Sequence, residues 1–112
     1  MKTRKELKED HKQRKPQMGV FQIKNMISEQ LFIDYSTDVQ AKWNRHRSEL
    51  RFGSHRNIKL QRDWKEYGES GFKFELISEM EYQDDSNTDY SNELKMLRDL
   101  ILEELAPDTL RY

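Results

Sequence analysis

The sequence predicts a small α/β (α+β) domain, a three-stranded, mostly antiparallel sheet flanked by helices. Three observations carry this. Apolar residues alternate in Val20–Lys24, and a second β-rich stretch, Leu31–Ser36, follows after a short polar turn. Apolar residues then recur every three or four positions between Val39 and Leu50, between Leu60 and Tyr67, and between Leu94 and Leu105. A third β-rich run, Phe72 to Ile77, separates the last two of these. Three strands are few, so the amphipathic helices must cover the sheet to bury its apolar side.

Taken in order, residues 3 to 15 read as a highly charged helix or flexible arm stopped at Pro16, with Leu7 as the one aliphatic residue it could bury. Phe21 and Ile23 mark the inner face of the first strand, and Asn25 to Gln30 form a turn into the second, making a hairpin. Asp38 is placed to cap a helix that carries Val39, Trp43, His46 and Leu50 on one face and stops at Gly53. Asn57 is placed to cap another, with Leu60, Trp64 and Tyr67 inward and Gly68 closing it. Residues 83 to 91 are polar and turn-rich, hence a loop. The last helix spans about Asn92 to Leu105, with Leu94, Leu97, Ile101 and Leu105 inward, and Pro107 ends it. The division expected is an arm at 1–17, one domain at 18–107 and a tail at 108–112.

A chain of 112 residues supports one domain with a modest core, and with 34% hydrophobic against 37% charged residues its aromatics must supply much of the packing. There is no apolar run long enough to span a membrane and no apolar leader at the start, so the expectation is a soluble, cytoplasmic protein. The absence of cysteine excludes disulfides, thiolate zinc sites and a Cys nucleophile. The net charge of −1 hides an asymmetry: residues 1 to 65 hold 16 basic and 8 acidic groups, residues 66 to 112 hold 4 and 13. Such segregation points to an electropositive face for a polyanion, unless the two halves interleave on folding.

The motif order Gly19-Val20-Phe21, Phe32-Ile33-Asp34, Trp43-Asn44-Arg45-His46 and Gly53-Ser54-His55, with Gln22-Ile23-Lys24-Asn25 and Lys59-Leu60-Gln61-Arg62, resembles the GIY-YIG nuclease family, in particular its small standalone bacterial and phage homing-endonuclease members. The likeness covers about residues 18 to 105. It implies a GIY-YIG-like fold and metal-assisted phosphodiester hydrolysis of DNA. In that chemistry a Tyr of the first motif positions or deprotonates water, a second Tyr and an Arg hold the scissile phosphate, and a Glu on a late helix holds the cation.

Carried over residue by residue, the first-motif Tyr falls at Phe21 and the second at Phe32, neither with a proton to exchange. The Gly closing the second motif falls at Asp34, the Arg before the helix Trp at Lys42, and the metal-binding Glu at Arg98. Lys42 keeps charge but lacks the bidentate fork of Arg, and Arg98 would repel a cation. Arg45, His46 and His55 stand at family positions. His46 can equally be a satisfied, half-buried histidine, and His55 reads as an exposed turn residue. Asp34 shares a strand face with Phe32 by period-two alternation and could replace a metal ligand, whereas Tyr35 points the other way. Phe21 and Phe32 can equally be plain core aromatics.

The stretch from 42 to 65 holds eight basic residues, Lys42, Arg45, Arg47, Arg51, Arg56, Lys59, Arg62 and Lys65, against Glu49 and Asp63. It suits a phosphate backbone read without sequence preference. Gly-rich phosphate loops, His-x-x-x-His pairs and nucleophile elbows are absent, and Asp84, Asp85 and Asp89 do not match a calcium loop. The expectation is a GIY-YIG-like domain that acts on or binds DNA with weak or no cleavage, in effect a pseudoenzyme. Two alternatives stay open: an active divergent endonuclease using Mg²⁺ or Mn²⁺, and a protein-interaction or oligomeric module that binds neither metal nor nucleic acid.

Overall fold

A computed structural model describes residues 15–82 and 89–112. The charged segment at 1–14 and the core of the polar loop, 83–88, lie outside the described residues. Elsewhere the element order is that expected: β1 (Met18–Asn25), β2 (Leu31–Ser36), α1 (Val39–Phe52), α2 (Ile58–Tyr67), a single 3-10 turn at Glu69–Gly71, β3 (Phe72–Met80) and α3 (Ser91–Glu104). The sheet has the order β2-β1-β3 and is antiparallel throughout. This is the α+β architecture that the periodicities imply.

Helix ends fall where local chemistry puts them. The Asp38 side chain accepts from Ala41 N at 3.1 Å and starts α1, a cap worth about 1 kcal/mol. Gly53, at φ 78°, takes the left-handed turn that ends it. The Asn57 side chain accepts from Leu60 N and starts α2.

The period-two reading of β1 needs one correction. Phe21 and Ile23 are buried as expected, but so are Met18 and Val20, in the opposite phase. As the central strand, β1 is covered on both faces: α3 brings Tyr90 and Leu94 onto Met18. On the side of α1 and α2, Leu50, Leu60 and Trp64 cluster with Phe32, Trp43 and Phe72. Each fully buried side chain of this size contributes about 1.5–3 kcal/mol. β3 also runs three residues past its expected end at Ile77. A bulge lets it continue, since Val20 faces Ser78 while Phe21 faces Leu76, leaving Ile77 over. Tyr67, expected inward, is 37% exposed at the last turn of its helix.

The residues after Pro107 run back along the sheet edge. Leu31 N donates to Leu110 O and Tyr112 N donates to Leu31 O, both at 2.9 Å. The Tyr112 hydroxyl donates to Asp63 at 2.8 Å and accepts from Asn25 Nδ2 at 2.9 Å. Burial and the Asp63 carboxylate push that phenol up to about 12. Asn25, fully buried, turns its own carbonyl oxygen onto Ile27 N and Ser28 N, which fixes the hairpin turn. The hairpin, α2 and the C-terminal residues are thus tied at one point.

Candidate active-site cleft

The β2 edge, the N-terminal two-thirds of α1 and the turn before α2 enclose a cleft of about 440 Å³. Phe32, Asp34, Lys42, Arg45, His46, His55, Arg56 and Arg98 line it, joined by Ile33, Glu49 and Asn57. Most of the residues singled out from the sequence therefore converge on one surface. β2 supplies Phe32 and Asp34 from alternate positions, α1 supplies Lys42, Arg45, His46 and Glu49 from successive turns, and α3 reaches it with Arg98.

A hydrogen-bonded chain of three side chains forms its floor. His46 Nε2 lies 2.8 Å from Asp34 Oδ2, and His46 Nδ1 lies 2.9 Å from His55 Nε2. The far end decides the tautomers. Asn57 N donates to His55 Nδ1 at 3.0 Å, so a neutral His55 carries its hydrogen on Nε2 and donates it to His46 Nδ1. His46 then donates from Nε2 to Asp34. All four ring nitrogens are spent inside the protein. Burial, helped by the neighbouring His46 and Arg56, lowers the His55 pKa against the opposing pull of Glu49 and Asp34. Burial works to raise the Asp34 pKa, but the hydrogen bonds from His46 and from Tyr35 N and the charge of Lys42 outweigh it and hold the carboxyl below its ordinary value.

His55 is the clearest departure from the sequence reading. Expected in an exposed turn, it is only 8% exposed, as is His46. Its backbone N–H donates to Gln61 Oε1, its ring meets Asn57 N, and the edge of Phe32 packs on it at 5.6 Å. Phe32 also meets His46 edge-on at 5.2 Å.

The two phenylalanines have different surroundings. Phe32 borders the cleft, whereas Phe21 is fully buried behind it, 5.3 Å from the Phe74 ring and 6.0 Å from His46. Neither brings a hydroxyl to the floor. Lys42 stands 3.9 Å from Asp34, and Arg45 pairs with Glu49 at 3.1 Å. Of the other basic residues, Arg56 lines the cleft and Arg47, Arg51, Lys59 and Arg62 do not. Arg47 lies over the Trp43 ring, Arg51 forms a two-pronged pair with Glu69, and Arg62 sits beside Asp63. The Arg51–Glu69 pair joins the basic half of the chain to the acidic half, so at that point the charges do interleave. Sequence reasoning missed Glu49 and the backbone N–H of Asn57. Glu49 carries a signal, the i, i+3 spacing from His46 on one helix; the N–H carries none.

The divalent cation implied by the family resemblance does not fit these residues. Its expected ligand position is Arg98, a cation in the cleft wall. Asp34 already accepts from His46 and from Tyr35 N. His46, Glu49 and His55 offer atoms within 4.8 Å of one another, but the tautomer set by Asn57 leaves a hydrogen, not a lone pair, on His55 Nε2. No helix among the described residues is long and apolar enough to cross a membrane.

Comparison with known proteins gives the same direction. No family model matches the chain. It is 33% identical over 67 residues, 60% of its length, to intron-associated endonuclease 1 of Enterobacteria phage T4. It spans 27% of that relative's length. Two solved structures of the catalytic domain of the intron endonuclease I-TevI share its fold. One aligns with a TM-score of 0.69 at 25% identity, covering 85% of this chain and 95% of that domain. The other, a point mutant, aligns with a TM-score of 0.66 at 26% identity, covering 80% and 84%. Fold, motif order and these matches agree: the chain shares the fold of the I-TevI catalytic domain, and they support its resemblance to the GIY-YIG nuclease family.

Proposed function

We propose that this domain binds the phosphate backbone of DNA at its cleft and cleaves it weakly or not at all. The relatives it resembles are endonucleases. One observation carries the impaired half of the reading: the Asp34–His46–His55 chain is closed on itself. A general base needs a free lone pair within hydrogen-bond reach of water. Here both histidines have none to offer, and Phe21 and Phe32 bring no hydroxyl. The binding half rests on charge. Four cations, Lys42, Arg45, Arg56 and Arg98, line one cleft with two acids, Asp34 and Glu49.

Electrophoretic mobility shift of a duplex oligonucleotide at low and moderate salt tests the binding. The parent should retard DNA at low salt, and the combined Lys42→Ala, Arg45→Ala, Arg56→Ala variant should bind more weakly. Its log–log salt slope should be shallower by roughly three, near one for each phosphate no longer neutralised. No retardation at low salt would remove the reading.

A second reading, an active nuclease rebuilt around Asp34, is favoured by a specific feature. The Asp34 carboxylate is held below its ordinary pKa on the floor of a charge-lined cleft. Such a group is ionised and could serve as a ligand or base after a rearrangement that frees it from His46. Plasmid nicking separates the two readings.

A further inference from the structure

We infer that the cleft is a pocket for one backbone phosphate of DNA that needs no divalent cation, with the Arg98 guanidinium supplying the fixed positive charge on the wall facing α1. This rests on the DNA-binding reading above and sharpens it.

Arg98 is held before any ligand arrives. Its guanidinium lies 4.9 Å from the centre of the Tyr35 ring. Its Nε and Nη2 both donate to Asp99 Oδ1, at 3.0 and 2.9 Å. That leaves Nη1 and the second Nη2 hydrogen without an acceptor among the described residues. The side chain is 26% exposed, against 59% for Arg45. A long side chain already ordered by stacking and an ion pair loses little further freedom when it grips an anion.

The rest of the cleft suits the same ligand. Lys42 and Arg56 stand on the α1 and turn sides, so an anion inside would be approached by cations from three elements. A cation inside would meet those same charges. The two carboxylates it could use are already engaged, Asp34 with His46 and Lys42, Glu49 with Arg45. Hard divalent ions want several unengaged oxygens. The pocket offers guanidinium and ammonium groups instead, the chemistry that recognises phosphate.

Fluorescence anisotropy of a labelled short duplex at low salt, in EDTA and then in millimolar Mg²⁺, tests this. The parent should bind at least as tightly in EDTA, because Mg²⁺ competes for phosphates. Arg98→Gln should lose about tenfold in affinity, the scale of a charge-assisted hydrogen bond. Arg98→Glu should lose more, and Mg²⁺ should restore part of it. Lys95→Gln, exposed on the same helix and outside the cleft, should bind within about twofold of the parent, and circular dichroism checks that each variant folds. Binding by the parent only when Mg²⁺ is present would overturn the inference and leave the DNA-binding reading standing. So would parent-like affinity of a folded Arg98→Gln. Absence of binding in both buffers would overturn both.

Discussion

Replacing Gly19 with Ala should abolish the cooperative unfolding transition or cut stability beyond the ~1–3 kcal/mol usual for an overpacked site. A Cβ built on Gly19 would lie 2.1 Å from Ser78 O and 3.0 Å from Glu79 Cα, both backbone atoms of β3. Neither can rotate away, because Gly19 pairs with Glu79 and Val20 with Ser78 in the central ladder. Relief requires β1 and β3 to part just where the bulge begins. β1 carries Phe21, so the floor of the cleft would shift with it. Urea unfolding followed by circular dichroism is the check; a variant within about 0.5 kcal/mol of the parent would show that the two strands are not this close.

Phe21 offers a second large effect, with a contrast built in. Phe21→Ala should cost about 3–5 kcal/mol, the range for truncating a buried aromatic. The ring is fully buried and touches Phe74, which in turn stacks on Trp43 at 5.0 Å. Phe21→Tyr removes nothing and adds a hydroxyl in the core. Burying that group without a partner costs about 1–3 kcal/mol. The nearby His46 ring already has both nitrogens occupied. The family phenol therefore cannot simply be put back at Phe21: the expected result is a less stable protein with unchanged activity. Urea midpoints of the two variants beside the parent decide it, and a Tyr variant as stable as the parent would show that a partner is within reach.

What can be read from the chain is mostly local. Asp38, Gly53, Asn57 and Gly68 mark helix ends because a cap depends on residues within one turn. The bounds of β2 at Leu31 and Ser36 are legible for a similar reason, since turn residues flank it. The burial of Met18 is not, because it depends on Tyr90 and Leu94, some seventy residues later. Nor is that of His55, because Gln61, Asn57 and His46 close over it only after α1 and α2 pack. The facing of Asp34 with Phe32 follows from strand alternation. The hydrogen bond that ties Asp34 to His46 does not, since it depends on how α1 crosses the strand. Alternation also turns Tyr35 to the opposite face, where it serves as the platform for Arg98.

The basic stretch from 42 to 65 shows the same limit. Its eight cations are adjacent in sequence, yet α1 and α2 spread them over several surfaces. Lys42, Arg45 and Arg56 reach the cleft, while Arg51 is drawn off by Glu69 and Arg47 by Trp43. The fourth cleft cation, Arg98, comes from the acidic half. Charge counts by segment point to a polyanion partner without showing which cations would meet it.

Incubation of supercoiled plasmid with the protein in Mg²⁺ or Mn²⁺, run beside His46→Ala prepared identically, bears most directly on whether the closed Asp34–His46–His55 chain has ended catalysis. The expected result is plasmid retarded on the gel but left supercoiled by both proteins. Nicking by the parent that disappears in His46→Ala would contradict it, showing that His46 opens its hydrogen bonds to do chemistry in a rebuilt site.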